Sequence, residues 1–266
     1  ITSIYMIKIS NYDIKNWNEL SNLIDHHFSY FNSYTFRGQA DSNWKLETTL
    51  TRAINKLSEE SDKDSLVKSH LSSFRQNLRG RSKQNLNNVS ENELYAIGQH
   101  FGLYTPLLDW THSPYVALFF ALQGKSDSGS RCLWAIASSL IEEVNSSQEN
   151  VKNKIEIIEP LTNHNPRLVS QQGLFLKLPI NKSLEDLVNE SDTKVEGRLI
   201  YKINFDDSIK NDALTSLNNM NINNLTLFPD LMGSSHHTNY LLEIEPYLKE
   251  KRRKRWDDYN ANVKKT

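Results

Sequence analysis

The segment Tyr115–Gln123 is the part of the chain that most constrains its fold, because nearly all of its side chains are apolar. Ser113 followed by Pro114 is typical of the N-cap and first position of a helix, and Gly124 is typical of a helix end. A helix that is apolar on every side has no face to present to water. The sequence therefore predicts a helix enclosed by the rest of the fold.

The stretch that leads into this helix, residues 99–115, concentrates imidazole, carboxylate, indole and hydroxyl side chains. A capping box of Ser90 and Glu93 predicts an earlier helix that ends near Gly102, and Leu107–Leu108 predicts a short buried strand. At the junction of that strand with the next helix, main-chain N–H groups favour an anion such as phosphate. Capping or packing explains each polar residue singly, but together they predict a site.

Two further segments are candidate parts of the same site. Residues 36–39 end a strand-like alternation and contain Arg37, whose guanidinium suits carboxylate or phosphate, and Gly38, which permits close approach of a backbone or ligand. Gln171 and Gln172 stand in an apolar segment interpreted as a strand, where they either need hydrogen-bond partners or face water.

These three segments, in this order, resemble the motifs of the FRG domain family, with a weaker resemblance to its closing motif at residues 227–233. The resemblance spans roughly residues 34–242, most of the chain. The family is known mainly from bacterial and phage-borne proteins and implies no single reaction. The middle motif matches most closely, at His100, Phe101, Gly102, Thr105, Leu107, Leu108, Asp109, Trp110, Thr111, Pro114, Ala117, Leu118, Phe120 and Ala121. The first motif is a close match at Phe36, Arg37, Gly38 and Gln39, and the third is a fair match at Gln171, Gln172, Gly173 and Phe175.

The motif order is also similar to that of the ADP-ribosyltransferase superfamily, and this resemblance implies a site that handles NAD. Under it an arginine would hold a phosphate or ribose oxygen, hydroxyl groups would orient the ribose, and an indole or phenol would stack on the nicotinamide. The candidates for NAD binding are Arg37, Gly38, Trp110, Thr111, Ser113, Tyr115 and Gln171. The catalytic candidates are His100, Asp109 and Gln172.

One departure from that superfamily leaves the activity open. The third segment has Gln171-Gln172-Gly173 where these transferases usually have a glutamate. Either Asp109 replaces the carboxylate, or the domain binds a nucleotide without turning it over, or the similarity does not extend to function. The competing class is a binding or sensor module for a nucleotide, a nucleic acid or a partner protein, in a defence or toxin–antitoxin setting.

Other classes of site find little support in the sequence. Cys132 is the single cysteine, which excludes an intramolecular disulfide and argues against a thiolate metal site. The adjacent pairs His26-His27 and His236-His237 diverge on a helix and do not suit one ion. The HExxH, GxSxG, P-loop and GxGxxG patterns are absent, so the sequence predicts no metal and argues against a zinc enzyme, a serine hydrolase and a Rossmann protein.

Charge and hydropathy limit where the protein can be located and which partners it can bind. No apolar run is long enough to span a membrane and no leader pattern is present, which predicts a cytoplasmic protein without membrane contact. The net charge of −1 argues against a strongly basic nucleic-acid binder. The basic run Lys249–Arg255, next to Trp256, is interpreted either as a solvated helix end or, through Lys251–Arg255, as a contact to nucleic-acid phosphates.

Periodicity predicts an α+β fold, with a mixed or antiparallel sheet core and surrounding helices; the second resemblance implies an ADP-ribosyltransferase-like version of it. Apolar residues at helical spacing favour helices over Ile14–Phe28, Leu66–Leu78 and from Ser208 onward. The predicted organisation is an N-terminal helical segment at 1–33, an FRG domain at 34–250 and a basic tail at 251–266. The predicted strands are Tyr34–Arg37, Leu107–Leu108, Arg131–Ala137, Lys154–Ile158, Leu174–Leu178 and Arg198–Phe205.

Overall fold

The seven strands found in the described residues form one sheet in a computed structural model, with the order β1-β7-β4-β2-β3-β6-β5. The structure describes residues 8–28, 33–57, 62–81, 86, 88–148, 153–160, 166–191 and 199–263. The edge strand β1 is parallel to β7, and the other neighbours are antiparallel. The strands are β1 (Ser10–Ile14), β2 (Tyr34–Gln39), β3 (Leu107–Thr111), β4 (Ser130–Ala137), β5 (Glu156–Ile158), β6 (Gly173–Lys177) and β7 (Ile200–Asp206).

Helices cover both faces of the sheet. Within the described residues they are α1 (Trp17–Phe28), α2 (Thr49–Ile54), α3 (Lys63–Asn77), α4 (Glu91–His100), α5 (Pro114–Leu122), α6 (Ser138–Ser146), α7 (Pro166–Ser170), α8 (Leu184–Asn189), α9 (Lys210–Asn219), α10 (Asn224–Leu227) and α11 (Leu231–Val263). A 3-10 turn, Asp207–Ile209, joins β7 to α9.

The central strand β4 shows how the sheet separates two cores. Leu133 and Ala135 pack with α1, α5 and α9, whereas Trp134 and Ile136 pack on the other face with α6 and α8. Successive side chains of a strand point to opposite faces, so one apolar strand contributes to both cores. A third, smaller cluster joins α3 and α4 to the end of the sheet that contains β3 and β6.

Helix α5 is the enclosed helix that the sequence predicts. Ser113 caps it by accepting a hydrogen bond from the Val116 N–H (3.3 Å), and Pro114 occupies its first turn. Six of its nine residues are buried. It lies directly on β2, where a Cβ at Gly38 would stand 1.9 Å from the Ala117 carbonyl oxygen. The glycine therefore permits close approach of this helix to the strand.

The prediction of an α+β fold with a mixed sheet is confirmed. The capping box at the start of α4 and the ends of α5 are also as predicted. The strand interpretation of Gln171 and Gln172 is wrong, because Pro166 begins the short helix α7 and β6 starts only at Gly173. The sequence does not predict β1, which lies within the N-terminal segment and takes Ile14 out of the first helix.

The C-terminal basic run belongs to a long helix, since α11 continues without interruption from Leu231 to Val263. No helix in the described part of the chain has both the length and the apolar character needed to cross a bilayer. Among the described residues, no three histidine, cysteine or acidic side chains are grouped so that they could hold a metal ion.

Candidate functional site

A cleft of about 420 Å³ lies where α4, α5 and α7 meet β2, β3 and β6. It brings together residues from all three segments that the sequence singles out. The residues that line it are Phe36, Arg37, Gly38, Ala96, Gln99, His100, Asp109, Trp110, Thr111, Ala117, Phe120, Arg167, Leu168, Gln171, Gly173, Leu174, Phe175 and Phe228.

The cleft contains a gap between two neighbouring strands. β2 pairs with β4 over six residues but with β3 at a single position, Phe36 opposite Thr111. At the next residue of β2, Nη1 of Arg37 donates a 2.7 Å hydrogen bond to the main-chain carbonyl of Asp109. In a regular sheet a main-chain N–H of the neighbouring strand would donate this hydrogen bond. The two strands are thus joined there by a guanidinium.

Asp109 presents an exposed carboxylate to the cleft. Its side chain is 69% exposed although it stands between the buried Leu108 and Trp110. The Gln99 side-chain amide donates a 2.8 Å hydrogen bond to Oδ1, and Oδ2 lies 3.8 Å from Nη1 of Arg37. One carboxylate oxygen is therefore held by the protein, while the other is close to a cation and accessible to a ligand.

A buried threonine fixes the orientation of the Gln99 amide. The Thr105 hydroxyl donates to Oε1 of Gln99, so the amide nitrogen is left to face Asp109. Thr105 has no solvent exposure, and its Oγ1 also accepts a 3.3 Å hydrogen bond from the Leu107 N–H. Since the last turn of α4 and the start of β3 are connected in this way, the position of the carboxylate depends on both elements.

Arg37 is the cation of the cleft floor. Its side chain is 21% exposed, and its Nε is buried without a hydrogen-bond partner among the described residues. Burial lowers the pKa of its guanidinium, and the charge of Asp109 partly opposes this effect. An arginine keeps its proton at neutral pH even so. A largely buried guanidinium that lines a cleft is suited to an anionic oxygen of a ligand.

Thr111 and Gln171 hold the opposite wall together. The Thr111 hydroxyl donates a 2.7 Å hydrogen bond to the main-chain carbonyl of Gln171, and it accepts one of 3.1 Å from the Ser113 N–H. The Gln171 side chain donates to the Leu227 carbonyl (3.0 Å). The Thr111 hydroxyl and the Gln171 amide nitrogen are thus engaged in contacts that position α7 and α10 beside β3.

The rim of the cleft combines a cation with aromatic rings. The Arg167 guanidinium lies 5.3 Å from the Phe228 ring and donates to Asp230 from its Nε (2.9 Å). His100, at the end of α4, lines the same side. Burial and the neighbouring Arg167 lower the pKa of His100, and Asp230 opposes them, so the imidazole is neutral at neutral pH.

Several predicted site residues lie outside the cleft lining. Ser113 caps α5, and the Tyr115 hydroxyl donates to Asp25 of α1 (2.8 Å), so neither side chain lines the cleft. Gln172 occupies a turn with φ 47°, and Gln171 lines the cleft in its place. Trp110 borders the cleft, but its side chain is buried in the core shared with α6 and α8.

Three other residues of the site were not named as candidates, although Gln99 opens the stretch 99–115 and Phe228 lies in the closing motif at 227–233. Gln99 stands in the last turn of a predicted helix, three residues before the predicted stop at Gly102, and this position could have suggested its role. Arg167 and Phe228 come from segments far along the chain from the main motif, and their local sequence does not show that they contact the cleft.

The model of the FRG domain family matches residues 32–130. This range includes β2, α4, β3 and α5, and therefore Arg37, Gln99, His100 and Asp109. Arg167 lies outside it. No curated protein and no solved structure matches the chain. The resemblance to the FRG domain that the motifs indicate is thus confirmed for residues 32–130.

Proposed function

We propose that the cleft binds NAD and cleaves the bond between nicotinamide and ribose. The observation that carries this proposal is the exposed carboxylate of Asp109, which is held at Oδ1 by Gln99 and lies 3.8 Å from Arg37 at Oδ2. It takes the place of the glutamate that ADP-ribosyltransferases have on their third segment. The similar order of motifs along the chain supports the same reaction class.

The reaction needs a negative charge beside the ribose. When the C1′–N bond breaks, its electron pair leaves with nicotinamide, and the sugar acquires oxocarbenium character that a nearby carboxylate stabilises. Attack by water at C1′ then forms a C–O bond and releases a proton, giving ADP-ribose; attack by another nucleophile gives ADP-ribosylation. The role assigned to Asp109 is this electrostatic stabilisation.

The rest of the cleft suits the other parts of the dinucleotide. Arg37 offers a cationic donor to the pyrophosphate, and the rings of Phe120, Phe175 and Phe228 offer apolar contacts for the bases. A volume of about 420 Å³ lies within the range of small-molecule sites. His100 lines the cleft, its pKa is lowered by burial, and we assign to it the acceptance of the proton that the attacking water releases.

Nicotinamide release tests the proposal directly. The wild-type chain incubated with NAD is expected to release nicotinamide, and Asp109→Asn is expected to lose most of this activity while NAD still raises its Tm. Asp257→Asn, which changes an exposed carboxylate on α11, is the matched control and should behave like the wild type. If neither nicotinamide nor transfer to an acceptor appears, and NAD causes no thermal shift, the proposal fails.

A binding module is the second candidate function. Asp109 is the single carboxylate in the described lining of the cleft, and it already contacts Gln99 and Arg37. Such a site can hold a nucleotide without cleaving it. A rise in Tm with NAD or with another nucleotide, without nicotinamide release, would favour this function over the enzyme.

The proposed setting is defence or a toxin–antitoxin system, in a cytoplasm. Cleavage of NAD without control would deplete the cellular pool, so expression of the wild-type chain is expected to lower NAD and slow growth. Asp109→Asn should relieve both effects. Equal toxicity of the two chains at equal expression would remove NAD cleavage as its cause.

A further inference from the structure

Helix α11 extends beyond its contacts with the rest of the described chain. Its buried residues are Gly233 and Ile244, and Tyr247 and Lys251 provide later contacts, both to Asp212 of α9. From residue 252 to residue 259 every side chain is exposed. This part of the helix therefore presents its side chains to solvent on nearly all sides.

Two arginines and two aromatic residues share one face of this exposed part. Arg252, Arg255, Trp256 and Tyr259 have the spacing i, i+3, i+4 and i+7, which places them on the same side of a helix. We call them the Arg–aromatic face. The acidic residues of the same turns, which point in other directions by the same periodicity, are Glu250, Asp257 and Asp258.

The two aromatic side chains are unusually accessible. Trp256 is 65% exposed and Tyr259 is 61% exposed, and their rings lie 6.1 Å apart at an angle of 29°. Neither ring is covered by the described residues. Large aromatic rings that are exposed side by side belong to an interaction site more often than to a surface that contacts only water.

Positive charge dominates the segment. Residues 249–255 contain six cations and one acid. Arg252 shares Glu245 with Lys249, but exposed pairs of this kind are weak and exchange readily for another anion. Arg255 forms no ion pair with a carboxylate in the described ranges. The charges are thus available to a polyanion.

We propose that the Arg–aromatic face binds single-stranded nucleic acid. The guanidinium groups of Arg252 and Arg255 contact phosphates, and unstacked bases stack on Trp256 and Tyr259. A duplex, whose bases are already stacked, cannot use the rings, and an acidic protein offers charge without planar bases. The observations therefore favour a single strand over both. This proposal is independent of the NAD site.

Fluorescence anisotropy with a short labelled oligouridylate and the full chain tests the proposal. Trp256→Ala/Tyr259→Ala is expected to weaken binding at least about tenfold, and Trp256→Phe/Tyr259→Phe to retain most of it. Arg252→Gln/Arg255→Gln should reduce the slope of log affinity against log salt by about 1.4. The matched control Arg253→Gln/Lys254→Gln removes the same charge from other faces and should change the slope much less.

Four results would overturn the proposal. They are the absence of binding, tighter binding of the matching duplex, equal effects of the two charge variants together with no effect of the alanine variant, and equal competition by polyglutamate of matched charge. Circular dichroism of each variant shows whether α11 stays helical. Because all substituted side chains are exposed, folding is expected to be retained.

Discussion

The side-chain amide of Gln99, in the last turn of α4, donates a hydrogen bond of 2.8 Å to Oδ1 of Asp109 in the middle of β3. The amide is held in this orientation by the buried hydroxyl of Thr105. A helix end, a connecting segment and a strand are thereby linked through three side chains. The link ends at the carboxylate to which we assign the charge stabilisation, so Gln99 is a positioning residue for Asp109.

Replacing Gln99 by methionine should uncouple the carboxylate from the helix. Gln99→Met keeps a side chain of similar length but removes the donor, so Asp109 can rotate away from the ribose. We expect kcat for nicotinamide release to fall about tenfold or more, with a smaller change in KM, because the loss concerns orientation rather than binding. Steady-state kinetics measure both constants.

Thr105 provides the control for this prediction. Thr105→Val, which removes the hydroxyl that orients Gln99, should reproduce part of the loss, and Thr105→Ser should restore it. If Gln99→Met leaves kcat unchanged while Asp109→Asn abolishes activity, Asp109 acts without this orientation. Comparing Gln99→Met with Asp109→Asn thus distinguishes a failure of the positioning role from a failure of the proposed activity.

Local signals predict the elements next to the site better than they predict the site itself. Ser90 with Glu93 and Ser113 with Pro114 are capping signals whose physical cause lies within one helical turn, and the structure confirms both. The contact of Arg37 with Asp109 joins residues 72 positions apart. It depends on the pairing of β2 with β3, which no local signal specifies.

The two errors in the predicted elements have different causes. Strand β1 is stabilised by parallel pairing with β7, which lies far away along the chain, so its few residues carry no sufficient local signal. For Gln171 and Gln172, apolar neighbours favoured a strand, but the preceding Pro166 starts a helix whose end turns Gln171 toward Leu227. Tertiary pairing therefore decided β1, whereas the start of α7 at Pro166 is a local signal that the interpretation as a strand did not take into account.

Gly38 is expected to tolerate no side chain. In Gly38→Ala the new Cβ would lie 1.9 Å from the Ala117 oxygen and 2.6 Å from the Ala121 nitrogen, both main-chain atoms of α5. The helix would have to move away from β2, so we expect the free energy of unfolding to fall by about 3 kcal/mol. Urea denaturation measures it.

Gly102→Ala is the matched control for this substitution. Gly102 has φ 88°, and a Cβ added there would meet no described atom within 4 Å, so only backbone strain of about 1 kcal/mol is expected. Equal losses in the free energy of unfolding for the two variants would mean that α5 moves away from β2 at little cost. The close contact at Gly38 would then contribute little to stability.

Arg131 is expected to be one of the most important polar residues for stability. It is fully buried and donates to the main-chain carbonyls of Ala121 (2.6 Å), Gln123 (3.2 Å) and Gly124 (3.2 Å) at the end of α5, and also to Asp207. Arg131→Met leaves those carbonyls without a donor, so we expect a loss of about 3 to 5 kcal/mol in the free energy of unfolding.

Asp207→Asn separates the ion pair from the helix-end contacts of Arg131. It removes the carboxylate charge but keeps the three carbonyl contacts, and Asp207 is partly exposed, so a loss well below that of Arg131→Met is expected. Urea unfolding of both variants provides the comparison. A larger loss for Asp207→Asn would show that the ion pair, and not the end of α5, accounts for the contribution of Arg131.

Asp41 should make stability depend on pH at the acid end. Its carboxylate accepts hydrogen bonds from the N–H groups of Asn43 (2.9 Å), Ser128 (2.9 Å) and Asp127 (3.0 Å), joining the turn after β2 to the loop before β4. These main-chain donors lower the pKa of Asp41 below its ordinary value. The folded protein therefore holds this proton more weakly than the unfolded chain does.

The sign of the pH dependence follows from that difference. The stabilisation is complete above the ordinary pKa of an aspartate, about 3.9, and is lost as the pH falls through the lower pKa of the folded state. Asp41→Asn should lower Tm at neutral pH and show a shallower decline in acid than the wild type. The exposed Asp257→Asn should keep the wild-type profile. If Tm falls equally steeply with decreasing pH in the wild type and in Asp41→Asn, other carboxylates control acid unfolding. Removing Asp41 would then not have changed the number of protons taken up on unfolding.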